Sequence, residues 1–334
     1  MSYDNDMPIA HPHIRLRRLR KNSIIRALVE ENHLKKEHLI YPLFVSETAK
    51  EQEDIKSLPG ISRFTLEGAL AEMGVCQELG INNIMLFPSI DPTKKNNEGS
   101  ASYDSQGLMQ TLLKRAKKQY PHLVLYADVA LDPFTSHGHD GILGPNNNVL
   151  NDETVDALCK QSLSYAQAGA DFVCPSDMMD GRIGAIRNTL DKAKLTDTGI
   201  LAYSAKYASS FYGPFREAVN SGARGLDKKT YQLNIANTQE AIRETLLDIE
   251  EGADIVMVKP GLPYLDIVAR LKDRIHTPIA IYHVSGEYSM LKLAAMNNIV
   301  DEKAAVHETF MSMRRAGASM IVSYYAKWAA ENIF

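Results

Sequence analysis

The sequence contains few cysteines, only three among 334 residues. Cys76, Cys159 and Cys174 lie far apart and lack the paired spacing that zinc sites and disulfide frameworks show. This scarcity excludes a disulfide-rich secreted scaffold and a cysteine-rich zinc module. We therefore expect a reducing setting and a cytoplasmic location.

Long apolar runs and a large excess of one charge are also absent. No stretch approaches the roughly 20 consecutive apolar residues that a membrane-spanning helix needs. The chain opens on polar residues rather than on a basic and then apolar targeting segment. The formal net charge is −4, and the basic run from Arg15 to Lys21 is too short to indicate nucleic-acid binding. We expect a protein that is not exported and binds neither membrane nor nucleic acid.

A repeated unit organises the rest of the chain. Three helical patterns end in a glycine that an apolar strand pattern follows at once, at Gly169, Gly252 and Gly317. Glycine suits the left-handed position just beyond a helix, so we predict helix-to-strand junctions there. Amphipathic stretches such as Thr238 to Glu251 and Tyr264 to Ile275 lie between strands, with Leu and Ile every three or four residues.

Eight apolar segments predict eight strands. Their uniform apolar character is typical of parallel strands buried beneath helices on both faces. Eight alternating units indicate an α/β fold, a closed (β/α)8 TIM barrel over residues 40–334, and a doubly wound open sheet is the rival. Residues 1–39 are predicted to form an extended N-terminal arm. Its basic run and the amphipathic stretch from Ile24 to Leu34 could bind RNA or membrane, but we favour contact with another subunit. The strands are predicted near residues 40–45, 83–87, 123–128, 171–175, 200–204, 254–258, 279–283 and 319–324.

Two lysines close neighbouring strands of this barrel, Lys206 the fifth and Lys259 the sixth. The active site of such a barrel lies at the carboxyl ends of its strands, so both amines should face one rim. Burial and a second ammonium each lower a lysine pKa, and a neutral amine can attack a carbonyl to form a Schiff base. Either lysine could instead extend to solvent or pair with a carboxylate. We predict that both are catalytic.

Polar residues at the next strand ends and in a long insertion are candidate substrate-binding groups. Ser285 begins a predicted helix after the seventh strand and Tyr324 ends the eighth, in a region where barrels often hold an anion. Each is also an ordinary capping or packing residue. Residues 207–232 form a predicted active-site lid, whose Arg216 and Lys228 would offer cations to a carboxylate.

Acidic and imidazole side chains crowd the loop after the third strand. It contains Asp128, Asp132, His137, His139 and Asp140. His137 and His139 with Asp132 and Asp140 could bind zinc or a harder ion, but aspartate and glycine are also common turn residues. Metal binding and turn formation both stay open on these grounds.

Four motifs, in order along nearly the whole chain, resemble the porphobilinogen synthase (5-aminolaevulinate dehydratase) family. The resemblance implies a lyase that condenses two 5-aminolaevulinate molecules into porphobilinogen, an early step of tetrapyrrole (haem) biosynthesis. Each keto group is thought to form an imine with a lysine, and Lys206 and Lys259 match those two. The motifs are Arg15 to Arg18, Ser176 to Arg182, Met257 to Gly261 and Val284 to Tyr288.

The same resemblance implies roles for the other candidates. Lys259 would hold the substrate that donates the propionate side of the product, with its carboxylate at Ser285 and Tyr324. Many family members have arginine in place of Lys228. A lysine keeps the positive charge but loses the bidentate geometry of a guanidinium. Lys206 would hold the other substrate, whose carboxylate would meet three lid residues, Arg216, Lys228 and Gln232.

The resemblance also bears on metals. The zinc-dependent branch carries three cysteines in the loop after the third strand, where this chain has Ala130, Asp132 and Asp140. We therefore expect no zinc in the active site, and the acids Asp128, Asp132 and Asp140 become candidate active-site acids. The chain resembles the branch that Mg²⁺ activates allosterically from outside the active site, through a glutamate that matches Glu244.

Family members assemble as homo-octamers whose N-terminal arms embrace neighbouring barrels, which implies the same for residues 1–39. A class I Schiff-base aldolase is an alternative function, but it needs one imine lysine, so Lys206 discriminates against it. A catalytically silent metabolite-binding barrel is the second alternative.

Overall fold

The computed structural model describes residues 14–219 and 228–334. The chain forms two compact units, Met1–His33 and Leu34–Phe334. Ten strands occur in the described part of the larger unit. They are β1 (Leu39–Ser46), β2 (Glu53–Asp54), β3 (Ser62–Phe64), β4 (Asn83–Ser89), β5 (Val124–Val129), β6 (Phe172–Pro175), β7 (Gly199–Lys206), β8 (Ile255–Lys259), β9 (Ile279–His283) and β10 (Met320–Ser323).

Eight of these strands close into a parallel barrel. Each pairs in parallel with its neighbour in the order β1, β4, β5, β6, β7, β8, β9, β10. The last strand returns to the first, with Leu39 opposite Ile321 and Ile40 opposite Val322. The predicted (β/α)8 barrel is therefore confirmed, and closure excludes the open sheet. The remaining two strands, β2 and β3, form a short antiparallel pair that joins β1 through β3.

Helices connect the barrel strands. The predicted segments Thr238 to Glu251 and Tyr264 to Ile275 contain α7 and α8, and Ser285 begins α9, as expected. The described helices are α1 (Ser23–Leu28), α2 (Leu66–Glu78), α3 (Leu108–Gln119), α4 (Asn151–Gln167), α5 (Arg182–Lys192), α6 (Gly213–Ala218), α7 (Gln239–Glu250), α8 (Leu265–Lys272), α9 (Ser285–Met296), α10 (Glu302–Ala316) and α11 (Ala326–Asn332).

Glycine ends three of the helices where the chain turns back into the barrel. Gly169, Gly252 and Gly317 have φ angles of 107°, 108° and 117°. L-residues with a side chain rarely adopt this region, so the predicted junctions depend on glycine. The strands that follow are buried on both faces; every residue of β8 and β9 is buried. Two-sided burial accounts for the uniformly apolar strand sequences.

Residues 14–33, the described part of the smaller unit and of the predicted arm, have no core of their own. They contain a 3₁₀ turn at Leu16–Arg20 and the short helix α1, and none of them is buried. The role of residues 1–39 in subunit contact stays a prediction, and residues 1–13 lie outside the described part. No helix among the described residues has the length and apolarity to cross a membrane.

Candidate active site

Two lysines stand side by side at the carboxyl rim of the barrel. Lys206 is the last residue of β7 and Lys259 the last of β8, and the two residues are register partners in the parallel pair. Both are buried, with exposed fractions of 7% and 5%. They line one small cavity of about 30 Å³, which is room for about one water molecule.

Four aromatic rings surround the amine of Lys259. Its Nζ lies 4.9 Å from the ring centre of Tyr203, 5.4 Å from Tyr212, 5.0 Å from Phe215 and 4.5 Å from Tyr282. Ring faces stabilise a cation at such distances, while their apolar bulk keeps water away. This environment suits an amine that alternates between a neutral and a cationic form.

Burial is the main cause that lowers the pKa of Lys259 to about 7. The neighbouring ammonium of Lys206 lowers this pKa further, whereas the carboxylates of Asp128, Asp132 and Asp140 oppose the shift. A large fraction of Lys259 is therefore neutral near pH 7, and only the neutral amine is nucleophilic.

Lys206 has a different environment, because a carboxylate pairs with it. Its Nζ lies 3.1 Å from Oδ2 of Asp140 and also donates to the backbone carbonyl of Ser176. The second oxygen of Asp140 lies 2.5 Å from Nζ of Lys228. Burial raises the pKa of Asp140, but the two lysines outweigh burial and hold that pKa at about 2. Asp140 is therefore an anion that bridges two cations.

Lys228 extends from the lid into this acidic cluster. It is 7% exposed, and its Nζ also lies 3.3 Å from Oδ2 of Asp132. Burial lowers the pKa of Lys228, but Asp132 and Asp140 outweigh burial and raise that pKa above its usual value. Gln232 lines the same cavity. Two of the three predicted lid residues, Lys228 and Gln232, thus line the cavity of the lysine pair.

Asp128 lies in β5 and lines the same cavity as the two lysines. Burial raises the pKa of this carboxyl to about 7; the charge of Lys259 opposes the shift and that of Asp132 adds to it. Its Oδ1 has no hydrogen-bond partner among the described residues. A carboxyl of this pKa beside an amine of similar pKa can exchange a proton with it near neutral pH.

The two hydroxyls at the ends of β9 and β10 already have partners. Ser285 Oγ accepts a hydrogen bond from the Phe215 N–H at 3.0 Å and donates to the Phe211 carbonyl at 3.3 Å. The hydroxyl of Tyr324 lies 3.3 Å from that of Tyr282, whose ring borders Lys259. The Tyr324 hydroxyl therefore neighbours a ring that borders Lys259, whereas Ser285 contacts the backbone of the lid.

Part of the predicted lid lies outside the described residues. Arg216 falls within α6, but its side chain is not among the described ones, and residues 220–227 are outside the description as well. The described residue Phe215 packs edge-on against Phe87, with ring centres 5.2 Å apart. This segment of the lid therefore covers Lys259 with an aromatic ring.

A family model described as Delta-aminolevulinic acid dehydratase matches residues 13–332 of the chain. The chain belongs to this family. The dehydratase of Bradyrhizobium diazoefficiens is 49% identical over 96% of this chain and 91% of its own, and the chloroplastic dehydratase of Physcomitrium patens is 48% identical over 97% and 75%.

A solved structure shares the fold and the family. The dehydratase (porphobilinogen synthase) of Toxoplasma gondii, in complex with the reaction product porphobilinogen, is 51% identical to this chain. The superposition covers 95% of this chain and 91% of the other, with a TM-score of 0.94. The predicted family, the dehydratase activity and the lyase class are confirmed, and the class I aldolase is set aside.

The loop after the third strand shows how this dehydratase-family chain uses its histidines. His139 Nδ1 lies 3.0 Å from the hydroxyl of Tyr231 in the lid, and the same hydroxyl accepts the Asp140 N–H at 3.3 Å. No cluster of three His, Cys, Asp or Glu suited to a metal ion occurs among residues 14–219 and 228–334. Tyr231 therefore joins the lid to this loop at His139 and Asp140. Its place in the predicted lid was the only signal for Tyr231 in the sequence.

Glu244 lies away from the lysines, on α7. It lines a large polar pocket of about 860 Å³ together with Asp180. Burial raises the pKa of Glu244, and Arg182, 3.9 Å away, lowers it. Arg182 also faces Asp248 at 3.1 Å and Asp177 at 3.7 Å, so three carboxylates surround one guanidinium. Of these carboxylates only Glu244 lines the pocket, where Asp180 joins it; two acids beside a roomy polar pocket suit a hydrated divalent cation, which needs few protein ligands.

Proposed function

We propose that the chain condenses two molecules of 5-aminolaevulinate into porphobilinogen and two of water, with one substrate held as an imine on Lys259 and the other on Lys206. The observation that carries this mechanism is the pair of buried lysines at the ends of two adjacent strands. Imine formation activates a ketone, and joining two ketone substrates at one site gives each lysine a substrate to activate.

The lowered pKa of Lys259 makes its amine a nucleophile near neutral pH. Its neutral form attacks the keto carbon, and loss of water from the adduct leaves a cationic imine among four aromatic rings. Asp128, with a pKa of about 7, exchanges protons with the adduct. The cationic imine acidifies the neighbouring C–H bonds, which allows carbon–carbon bond formation with the second substrate.

Two sets of groups bind the carboxylates of the two substrates. Ser285 and Tyr324 hold the carboxylate of the substrate on Lys259. Arg216, Lys228 and Gln232 hold that of the substrate on Lys206. In the structure, Lys228 contacts two aspartates and Ser285 contacts the backbone of the lid. The carboxylates of entering substrates replace these contacts. Such an exchange couples substrate entry to movement of residues 207–232.

The carboxylates of Asp132 and Asp140 pair with positively charged groups in the same site. Both carboxylates contact Lys228, and Asp140 also contacts Lys206. When a substrate carboxylate takes Lys228, an ammonium group on the substrate can take its place beside the freed aspartate oxygens. We infer that these acids orient a substrate amine and that the site works without zinc.

Borohydride reduction tests the lysine assignments. Reduction in the presence of 5-aminolaevulinate, followed by peptide mass mapping, should label Lys259 and then Lys206. Lys259→Ala should abolish porphobilinogen formation in a colorimetric assay and leave the circular dichroism spectrum unchanged. An unlabelled Lys259 under turnover conditions, or full activity of Lys259→Ala, would overturn the mechanism.

We further propose that Mg²⁺ activates the enzyme allosterically through Glu244, outside the active site. A hydrated ion in the pocket of Glu244 and Asp180 would draw Glu244 away from Arg182, which also contacts Asp177 beside the active-site residue Ser176. Mg²⁺ keeps several waters and needs few carboxylates, which suits this site.

The metal proposal has its own test. Chelation should lower activity only in part, added Mg²⁺ should restore it, and Glu244→Ala should remove the response to Mg²⁺ while keeping the basal rate. Glu308→Ala removes an exposed carboxylate on α10, a helix that does not line this pocket, and as the control it should respond like the wild type. Complete loss of activity that zinc alone reverses would contradict this proposal.

We also propose that the chain acts in the cytoplasm as a homo-octamer built through its N-terminal arms. Three cysteines without a disulfide suit a reducing compartment. Several relatives are described as chloroplastic, so fluorescence microscopy of a tagged full chain in its own cells is the test, and an organellar signal would contradict it.

A further inference from the structure

One buried carboxylate in this fold accepts three backbone hydrogen bonds. Glu287, in the first turn of α9, is 2% exposed. Its Oε2 accepts the N–H groups of Val284 at 2.8 Å and Gly261 at 3.1 Å, and its Oε1 accepts the N–H of Leu262 at 2.5 Å. Burial raises the pKa of Glu287 to about 7, and the three N–H groups oppose this shift by stabilising the carboxylate.

These three N–H groups belong to two different loops. Gly261 and Leu262 follow β8, two and three residues after Lys259, and Val284 directly precedes Ser285. A glutamate that only capped α9 would reach back to Val284 alone, as in a capping box. The bonds to Gly261 and Leu262 cross to another strand end. Glu287 therefore ties the loop of the reacting amine to the loop of a proposed carboxylate-binding hydroxyl.

The backbone of Lys259 is also held from the opposite side. Its carbonyl accepts the Tyr207 N–H at 3.0 Å and the Tyr212 hydroxyl at 3.2 Å. Glu287 accepts hydrogen bonds from Gly261 and Leu262, the residues that follow. The backbone at Lys259 and just after it is therefore fixed by hydrogen bonds. Neighbouring groups held in this way keep a reacting side chain in its productive geometry.

We propose that Glu287 is a positioning residue that sets the separation between the Lys259 amine and the Ser285 hydroxyl, and so aligns the keto and carboxylate ends of one substrate. This inference rests on the proposed roles of Lys259 and Ser285. Glu287 touches no substrate; it acts through the two loops. A ketone that carries a carboxylate at the substrate's spacing depends on this separation, and a ketone without a carboxylate does not.

The test compares two ketones in borohydride trapping at Lys259. One is 4-oxopentanoate, which is the substrate without its amino group, and the other is 2-butanone, which has no carboxylate. In Glu287→Gln the amide offers one acceptor oxygen and turns an NH₂ donor toward N–H groups that need an acceptor. We expect trapping of 4-oxopentanoate to fall about tenfold, as for a misplacement of well under 1 Å, and that of 2-butanone to stay within about twofold.

Ser289→Ala is the matched control on the same helix. Ser289 is buried and donates to the Ser57 carbonyl at 2.6 Å, away from both loops. This variant loses a buried hydrogen bond and should keep the wild-type ratio of the two ketones. If Glu287→Gln does not fold, Glu287→Asp, which keeps the charge on a shorter side chain, enters the same comparison and should show the same selective loss.

The outcomes distinguish the positioning role of Glu287 from the imine mechanism at Lys259. Equal loss of both ketones in the Glu287 variant, or no loss of either, would overturn the positioning role. A wild-type enzyme that traps neither ketone on Lys259 would instead overturn the proposed imine mechanism. Selective loss of 4-oxopentanoate, together with an unchanged Ser289→Ala ratio, supports the positioning role.

Discussion

At the residue scale, Lys206 and Lys259 carry the same amine in two different environments. Lys206 contacts the carboxylate of Asp140, whereas the amine of Lys259 faces aromatic rings. The pKa of Lys259 falls to about 7 through burial and then through the charge of Lys206. The charged lysine therefore helps to keep its neighbour neutral.

This difference predicts how trapping at Lys259 depends on pH. The amine reacts when neutral, so the rate of trapping with 4-oxopentanoate should rise with pH and reach half its maximum near pH 7. Lys206→Met removes an ammonium and leaves Asp140 in place. The loss of the ammonium and the remaining charge of Asp140 both favour the charged form of Lys259. The midpoint of the trapping rate should therefore move to higher pH. An unchanged midpoint would show that Lys206 does not influence its neighbour.

Asp128→Asn should move the same midpoint in the opposite direction. The Asp128 carboxylate raises the pKa of Lys259, and an amide of the same size removes that charge. The trapping midpoint should therefore fall to lower pH. Lys206→Met and Asp128→Asn thus form a pair of opposite sign, and shifts in one common direction would contradict the electrostatic account. The measurement is borohydride labelling of Lys259, followed by mass mapping, across a pH series.

At the element scale, one glycine lets the lid approach the barrel. A Cβ built on Gly286 would lie 2.6 Å from the Phe211 carbonyl oxygen and 2.9 Å from its Cα. These are backbone atoms and cannot turn aside as a flexible side chain can. The close approach also allows Ser285 to bond the backbone of Phe211 and Phe215. Docking of this lid segment therefore requires glycine at the start of α9.

Gly286→Ala should push the lid segment away from Lys259. We expect kcat/KM to fall by about tenfold or more, because misplaced catalytic geometry carries a cost of this order, and limited proteolysis in residues 207–232 to become faster. Gly213→Ala is the control within the lid, because a Cβ there meets nothing within 4 Å. Its activity should stay near the wild type. Equal losses in the two variants would contradict a specific role for the contact at Gly286.

The same elements show what sequence patterns could and could not predict. Strand patterns located all eight barrel strands within about two residues, because two-sided burial demands short, uniformly apolar runs. They missed β2 and β3, which have two and three residues and no such run. Strand ends also placed Lys206 and Lys259, because parallel strands end at one rim. Tyr231 and Glu287 act through contacts distant in sequence, and periodicity carries no information about those.

At the scale of the whole molecule, the barrel and the arm differ in how they bury apolar surface. The barrel unit has an extensive core. In the described arm, by contrast, large apolar side chains stay open to solvent, with Ile24 79% and Leu28 82% exposed. A short helix such as α1 gains little stability from its own hydrogen bonds. Residues 14–33 therefore need another surface to cover them, in keeping with the proposed subunit contact.

Two serines in α1 test whether that surface belongs to other copies of the chain. Burial of an Ile or a Leu contributes roughly 1.5–3 kcal/mol, so Ile24→Ser with Leu28→Ser should weaken association by about 100-fold or more per contact. Light scattering of the full chain should show an octamer for the wild type and smaller species for this variant. Glu30→Ser with Glu31→Ser changes exposed polar residues just beyond α1 and should leave the octamer intact. A wild-type monomer, or an unchanged mass after the α1 substitutions, would mean that the arm does not build the assembly.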